Sequence, residues 1–187
     1  MKSKLIVVDF DKTLIPFDSF RQYVLIWLRK YPLQIMFLIF KRKIKILSSG
    51  EFKKRVVQLI YKHKLFEVTN HSFATVLCKK LDIQILEKIE FQKTPATKIL
   101  ILSASPDEYI GIIGDNLGFA AKGSHFISDN EYFHLHSDAK IKYINTNYPI
   151  DMYEYQFAIS DSISDLKLLK LFSNYELLVP HKSNQDN

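Results

Sequence analysis

Short, uninterrupted apolar runs recur along the chain, and each is followed directly by polar residues. The first two occupy residues 5–8 and 99–102, a third lies within 155–160, and a fourth within 175–179. Runs of this length are typical of strands buried on both faces of a parallel sheet. A turn at Asp129-Asn130, flanked by aromatic residues, predicts further short strands within 120–136.

Helical spacing dominates between the first two strands. Apolar residues recur near a 3.6-residue period from Phe17 to Tyr31, and Pro32 marks a boundary. A second helix is predicted over 33–40, and others over 51–63, 69–81 and 83–92. The chain therefore reads as an α/β fold with a helical block inserted after its first strand.

The second helix of this block contains a charge-free stretch. The ten residues from Tyr31 to Phe40 carry no charge, and basic residues bound them on both sides (29–30 and 41–43). Crossing a bilayer takes about 20 apolar residues, so a spanning helix is not expected. Two alternatives remain open: a helical hairpin packed on its neighbours, and a helix lying in the membrane interface.

The composition of the chain indicates its class and the compartment in which it is expected. The 187 residues are enough for one domain or for one domain that carries an insertion, and a content of 47% hydrophobic and 25% charged residues is ordinary for a soluble globular protein. The single cysteine, Cys78, excludes an intramolecular disulfide, and the N-terminus lacks the pattern of a secretory signal. We therefore expect a cytoplasmic protein, with a peripheral position at the membrane surface as the alternative.

The net charge of +6 is concentrated between residues 29 and 64. Such clustering indicates an anionic partner: a nucleic acid, a phospholipid surface or a phosphorylated substrate. Solvated helix faces explain the same pattern. The sequence contains no recognised nucleic-acid motif, so a basic nucleic-acid-binding module is a remote alternative and no nucleic-acid partner is expected.

Candidate chemistry begins at the end of the first strand, where Asp9 and Asp11 stand one residue apart. Open α/β sheets place their ligands at the carboxyl ends of the strands. Two carboxylates this close repel each other, which calls for a nearby positive charge, and oxygen ligands favour a hard cation such as Mg²⁺. Taken alone, the pair fits a surface turn equally well.

The later strands end in polar residues of the same kind. Ser103 follows the second strand, and Ser105 is predicted to cap a helix whose first turn holds Pro106. A helix start at that point can bind an anion. Asp161 follows the third strand, and Asp165, four residues on, could cap the next helix. Lys140 lies near the start of an amphipathic helix, a position where most lysines are simply solvated.

In order, residue type and local context these positions resemble the haloacid dehalogenase (HAD) superfamily of phosphatases and phosphotransferases. Asp9-Phe-Asp11-Lys-Thr13-Leu14 resembles its first motif, Leu102-Ser103 the second, Lys140 the third and Asp161-Ser-Ile-Ser-Asp165 the fourth. The resemblance implies a Rossmann-like three-layer α/β/α core with a parallel sheet, formed by residues 1–16 and 94–187. Residues 17–93 would form the α-helical cap that phosphoserine-phosphatase-like members insert at this place.

The resemblance also implies a role for each motif residue. Asp9 would be the nucleophile that forms an aspartyl-phosphate, and Asp11 the general acid and base. Mg²⁺ would be held by Asp9, the main-chain carbonyl of Asp11, Asp161 and, directly or through water, Asp165. Ser103 and Lys140 would bind the phosphoryl oxygens.

These roles imply an enzyme, a HAD-type phosphoric monoester hydrolase whose cap selects a small phosphorylated substrate. The chain departs from phosphoserine phosphatases at Ser103-Ala-Ser105, where they show Ser-Gly-Gly, and at Ser160, where many relatives have glycine. Its basic, apolar cap is loosely similar to the phosphatidylglycerophosphatase C branch. The alternatives are thus a lipid-phosphate phosphatase at the membrane surface, acting on phosphatidylglycerophosphate or a polyprenyl phosphate, and a phosphotransferase.

Overall fold

The computed structural model describes residues 2–178; Val179, in the last predicted strand, and the polar tail from His181 lie outside them. Within the described residues six strands form one sheet in the order β4-β3-β2-β1-β5-β6. The strands are β1 (Ser3–Val8), β2 (Thr97–Pro106), β3 (Ala120–Ser128), β4 (Glu131–Phe133), β5 (Tyr153–Ser160) and β6 (Asn174–Leu177). All neighbours pair in parallel except β3 and β4.

Five helices separate β1 from β2, as the periodicity predicts. They are α1 (Ser19–Leu28), α2 (Pro32–Lys43), α3 (Ser49–Tyr61), α4 (Phe66–Cys78) and α5 (Ile83–Gln92). The later helices of the described chain are α6 (Asp107–Leu117), α7 (Asp138–Asn147) and α8 (Leu166–Leu169), the last preceded by a 3-10 turn at Ile163–Asp165.

The continuous apolar strands fill two separate cores. Because side chains alternate across a strand, Ile6 and Val8 of β1 face one layer of helices while Leu5 and Val7 face the other. The first core receives side chains from α1 to α6, and the second receives them from α7 and α8. The predicted three-layer α/β/α core with an inserted helical block is confirmed.

The inserted helices pack closely against the rest of the molecule. Tyr23 of α1 lies against Phe73 of α4 and Tyr109 of α6, with ring centres 5.4 and 5.1 Å apart. At the far end of the block, Lys88 of α5 forms an ion pair with Glu176 of β6. One buried cluster thus joins the helical block to the sheet, and the division at residue 93 stays a prediction.

The first turn of α3 makes an unusually close contact with the segment after β4. A Cβ atom built on Gly50 would stand 3.0 Å from two ring atoms of His134. Lys54 and Gln58, farther along α3, donate to the carbonyls of Asn130 and Asp129 in the β3–β4 turn. The Asp129-Asn130 turn itself is confirmed.

One predicted helix cap is wrong. Ser105 does not cap α6, because β2 continues through Pro106, which pairs with Ser124 of β3. The backbone therefore stays extended past Ser105, and α6 begins at Asp107. The Ser105 hydroxyl accepts no amide of α6 and donates to the Asp11 carboxylate instead.

Over residues 2–178, no helix is both long enough and apolar enough to cross a membrane.

Candidate active site

The sheet brings the predicted residues to its carboxyl edge. Val8 of β1 pairs with Ile101 of β2 on one side and Ile159 of β5 on the other, so Asp9, Ser103 and Asp161 emerge at nearly the same level. Two hydrogen bonds connect the segment that follows β1 with the end of β5 and the residue after it. The Asp9 amide donates to the Ile159 carbonyl at 2.9 Å, and the Asp161 amide donates to Thr13 Oγ1 at 2.9 Å.

Lys140 is the centre of the cluster. Its ammonium donates to Asp9 Oδ1 at 2.7 Å and to Asp165 Oδ2 at 2.6 Å, and all three side chains are buried. Ser160 Oγ donates to the same Asp165 oxygen at 2.9 Å. A buried ammonium compensates two buried carboxylates that would otherwise repel each other. The lysine, which resembles a solvated helix residue in sequence, lies inside the site.

Burial and charge act in opposite directions on this cluster. The pKa of Asp9 is raised to about 6, because burial, and to a smaller extent the Asp165 carboxylate, raise it more than Lys140 lowers it. For Lys140, burial lowers the pKa, but the two carboxylates outweigh burial and hold it above its ordinary value. Lys140 therefore stays charged at neutral pH, and Asp9 is largely ionised there.

Asp11 points away from this ion cluster towards the inserted helices. The amide of Ser19, the first residue of α1, donates to Asp11 Oδ1 at 2.6 Å. The Ser105 hydroxyl donates to Asp11 Oδ2, and both serines are completely buried. Burial raises the pKa of Asp11, while these hydrogen bonds lower it in part. The two carboxylates of the first motif thus occupy different environments.

The Ser19 and Ser105 hydroxyls continue into a small network. Ser19 Oγ lies 3.2 Å from Ser105 Oγ and 2.9 Å from the hydroxyl of Tyr109. This network joins α1, β2 and α6 around Asp11. Sequence reasoning missed Ser19, because a serine that follows Asp18 at a helix start has the local pattern of an ordinary cap.

Lys53 is a second functional candidate that sequence reasoning missed. It extends from α3 and donates to the Ala104 carbonyl at 2.7 Å, beside the Phe20 ring. Burial lowers its pKa, while the carboxylates of Asp11, Asp18 and Asp9 raise it. The inserted block therefore supplies a cation to the same edge of the sheet. In sequence Lys53 is one of many basic residues in the block, and nothing local distinguishes it.

The remaining predicted residues lie in the loops around these carboxylates. Ser103 is buried, and its Oγ accepts the amide of Ser105 at 3.1 Å. Asp161 is partly exposed, and burial of its carboxylate raises its pKa. Asp165 precedes α8 without capping it, since its side chain is directed to Lys140 and Ser160.

The carboxylates do not form a compact metal-binding group by themselves. Over residues 2–178 no three side chains of histidine, cysteine, aspartate or glutamate are arranged to hold a metal ion. The expected donor set, however, combines the carboxylates with the main-chain carbonyl of Asp11 and a water-mediated Asp165. These are all hard oxygen donors, so the set fits Mg²⁺ chemically.

Comparison with known proteins identifies this arrangement. Residues 6–170 match the family model described as haloacid dehalogenase-like hydrolase. A comparison with curated proteins gives no significant match.

Several solved structures share the fold. A protein of unknown function from Bordetella pertussis Tohama I superposes with a TM-score of 0.73 at 15% identity, covering 94% of this chain and 89% of that one. A phosphoserine phosphohydrolase-like protein from Francisella tularensis subsp. tularensis SCHU S4 gives 0.60 at 18% identity, covering 92% and 85%. A phospho-aspartyl intermediate analogue of phosphoserine phosphatase gives 0.56 at 16%, covering 94% and 86%.

Proposed function

The chain belongs to the haloacid dehalogenase-like hydrolases, and from this membership we propose that it is a phosphomonoester phosphatase with Asp9 as its nucleophile. The observation that carries the proposal is the buried Lys140, which holds Asp9 and Asp165 together at the carboxyl edge of the sheet. A core that served stability alone would gain little from burying three charges.

Asp9 has the state that a carboxylate nucleophile needs. With its pKa raised to about 6 mainly by burial, it is ionised at neutral pH. One oxygen is fixed by Lys140, which leaves the other to attack phosphorus. Attack forms the bond from Asp9 to phosphorus and breaks the bond from phosphorus to the substrate alcohol, giving an aspartyl-phosphate.

Asp11 is suited to move the proton. It would donate a proton to the departing alcohol oxygen, then take one from the water that hydrolyses the aspartyl-phosphate. Its raised pKa favours the protonated state that the first step requires. Ser19 and Ser105 fix the carboxyl group on the side of the inserted helices, where the substrate alcohol would lie.

Ser103 and Lys140 would bind the phosphoryl oxygens. Mg²⁺, held by Asp9, the Asp11 carbonyl, Asp161 and Asp165, would neutralise phosphoryl charge. Together these groups supply the positioning and charge compensation on which phosphoryl transfer depends.

The inserted helices would form the cap that selects the substrate. Lys53 of α3 reaches the Ala104 carbonyl beside Phe20, and Asp9 is buried in the same part of the molecule. Opening of the cap would admit the substrate, and closure afterwards would exclude water from the reaction.

Purified protein assayed with Mg²⁺ against an aryl phosphate and a panel of metabolite and lipid phosphates tests the proposal. Asp9→Asn should abolish turnover, and Asp151→Asn, at an exposed aspartate, should leave it unchanged. Turnover that persists in Asp9→Asn would reject the nucleophile. A folded protein that is inactive on the whole panel would reject the phosphatase assignment.

A lipid phosphate is the second candidate substrate. It is favoured by one observation: apolar side chains of α2, among them Leu33, Phe37 and Phe40, are exposed to solvent.

A further inference from the structure

Helix α2 and the residue that follows it present an apolar stripe to solvent. Leu33, Met36, Phe37, Phe40 and Ile44 are each between 48% and 79% exposed. At about 100° per residue these positions fall within one sector of the helix. Ile35, which is fully buried, lies on the opposite side. The stripe is therefore a second apolar face, separate from the one that packs α2 onto the protein.

Basic side chains border the stripe. By the same geometry Lys41 and Lys43 lie at its two edges, and Lys41 Nζ is 4.3 Å from the centre of the Phe37 ring. No acidic residue occurs between Asp18 and Glu51, a segment that contains Arg21, Arg29, Lys30, Lys41, Arg42, Lys43 and Lys45. The face thus combines apolar contact area with charge of a single sign.

We propose that this face, the α2 stripe with its basic border, docks onto an anionic lipid bilayer. The 12 residues of α2 span about 18 Å, too short to cross a membrane but suited to lying in its plane. The apolar side chains would enter the boundary between headgroups and acyl chains. The lysines at the edges would remain among the anionic headgroups.

Charge distinguishes a bilayer from a second copy of this chain. A two-fold contact through the stripe would bring two basic borders together with no acidic residue of the same segment to offset them. A nucleic acid would satisfy the lysines but would offer no apolar surface for Leu33, Met36 and Ile44. An anionic bilayer offers apolar acyl chains to the stripe and negative headgroups to its basic border.

The inference does not depend on the catalytic assignment, although the two are physically connected. Helix α2 packs against α3, the helix that carries Lys53 to the catalytic edge. Docking would therefore hold the cap, and not the sheet, against the membrane. Asp9→Asn should bind vesicles as well as the wild type does.

Sedimentation with phosphatidylcholine vesicles, with and without phosphatidylglycerol, tests the proposal. The wild type should bind the anionic vesicles and be released by salt. Phe37→Ser with Phe40→Ser should weaken binding by about tenfold or more, since two aromatic side chains no longer leave water. Lys41→Glu with Lys43→Glu should weaken it by at least about 25-fold, at about fivefold for each positive charge lost, and the two added carboxylates are repelled by the headgroups as well.

Matched controls lie on other surfaces of the molecule. Phe91→Ser removes an aromatic side chain that is 89% exposed on α5, and Lys142→Glu with Lys170→Glu reverses two exposed charges near α7 and α8. All controls should bind like the wild type. Circular dichroism establishes that each variant is folded.

Three results would overturn the proposal. The first is a wild type that fails to sediment with anionic vesicles, and the second is a set of controls that lose as much binding as the α2 variants. The third is a dimer, by sedimentation equilibrium, that Phe37→Ser with Phe40→Ser converts to a monomer, which would identify a second copy as the occupant. Loss of phosphatase activity in Asp9→Asn with vesicle binding retained would support both proposals separately.

Discussion

The ammonium of Lys53 donates a 2.7 Å hydrogen bond to the main-chain carbonyl of Ala104. The donor belongs to a helix of the inserted block, and the acceptor lies in β2 between Ser103 and Ser105. The contact therefore joins the block directly to the strand that carries the second motif. It also places a positive charge among Asp9, Asp11 and Asp18.

Replacing Lys53 with methionine should lower kcat/KM by about tenfold or more, because the site loses both a cation and a cap contact. Lys53→Arg should recover part of the loss. Steady-state kinetics on the best substrate of the panel measures both effects.

Lys54 provides the control for Lys53. It is the next residue of α3 and also donates to a carbonyl, that of Asn130, at a more exposed position. Lys54→Met should change kcat/KM by less than about twofold. Equal losses in the two variants would assign the effect to the packing of α3 and not to the catalytic edge.

Replacing Lys140 with methionine should lower the free energy of unfolding by about 3–5 kcal/mol. The change leaves Asp9 and Asp165 buried without their shared ammonium. Urea denaturation in the presence of EDTA measures the loss, since no divalent cation can then replace the ammonium. Activity should be lost as well.

Lys142→Met is the matched change, because Lys142 lies on the same helix and is exposed. Its free energy of unfolding should lie within about 0.5 kcal/mol of the wild-type value. An undiminished stability of Lys140→Met would mean that the two carboxylates are not charged together in the folded protein.

Replacing Ser105 with alanine should move the pH–rate profile to higher pH. The Ser105 hydroxyl donates to Asp11 and lowers the pKa of that carboxyl group. Without this hydrogen bond, burial raises the pKa of Asp11 further. Asp11 then keeps its proton to a higher pH. Profiles of kcat from wild type and variant test this, and coincident profiles would show that Asp11 does not control the rate.

Glu108 should make the fold less stable as the pH rises. Burial raises its pKa to about 7, and its Oε2 has no hydrogen-bond partner among the described residues. An acid with a raised folded-state pKa gives stability that is fully present below its unfolded pKa and is lost as the pH rises through the folded value. Glu108→Gln should therefore be more stable than the wild type above about pH 7, by roughly 1–3 kcal/mol.

Urea denaturation at acid and alkaline pH measures this difference. Glu87→Gln, at an exposed position of α5, should show no such dependence. If Glu108→Gln has the same free energy of unfolding as the wild type at every pH, the Glu108 carboxylate is solvated in the folded protein.

The sequence predicts the parts of the molecule that are determined by local pattern. Uninterrupted apolar runs predict β1, β2 and β5, and polar residues directly after them predict which edge of the sheet carries the chemistry. Lys140 could be singled out only by its order among the motifs, because a lysine in the first turn of a helix has no local mark of burial.

The missed residues depend on contacts between distant segments. Ser105 is a good helix cap by sequence, yet the pairing of Pro106 with Ser124 keeps its backbone extended and frees its hydroxyl for Asp11. Ser19 and Lys53 reach the carboxyl edge of the sheet because α1 and α3 pack in the buried cluster that contains side chains of β1 and β2. The spacing of residues within those two helices does not indicate which of them will contact β2.

Gly50 lies against His134 in the first turn of α3, one helical turn before Lys53. A Cβ atom at position 50 would stand 3.0 Å from the His134 ring, so either that ring or the first turn of α3 would have to shift by a few tenths of an ångström. Gly50→Ala therefore tests whether the position of α3, and with it that of the Lys53 ammonium, depends on this contact, without altering one charged atom.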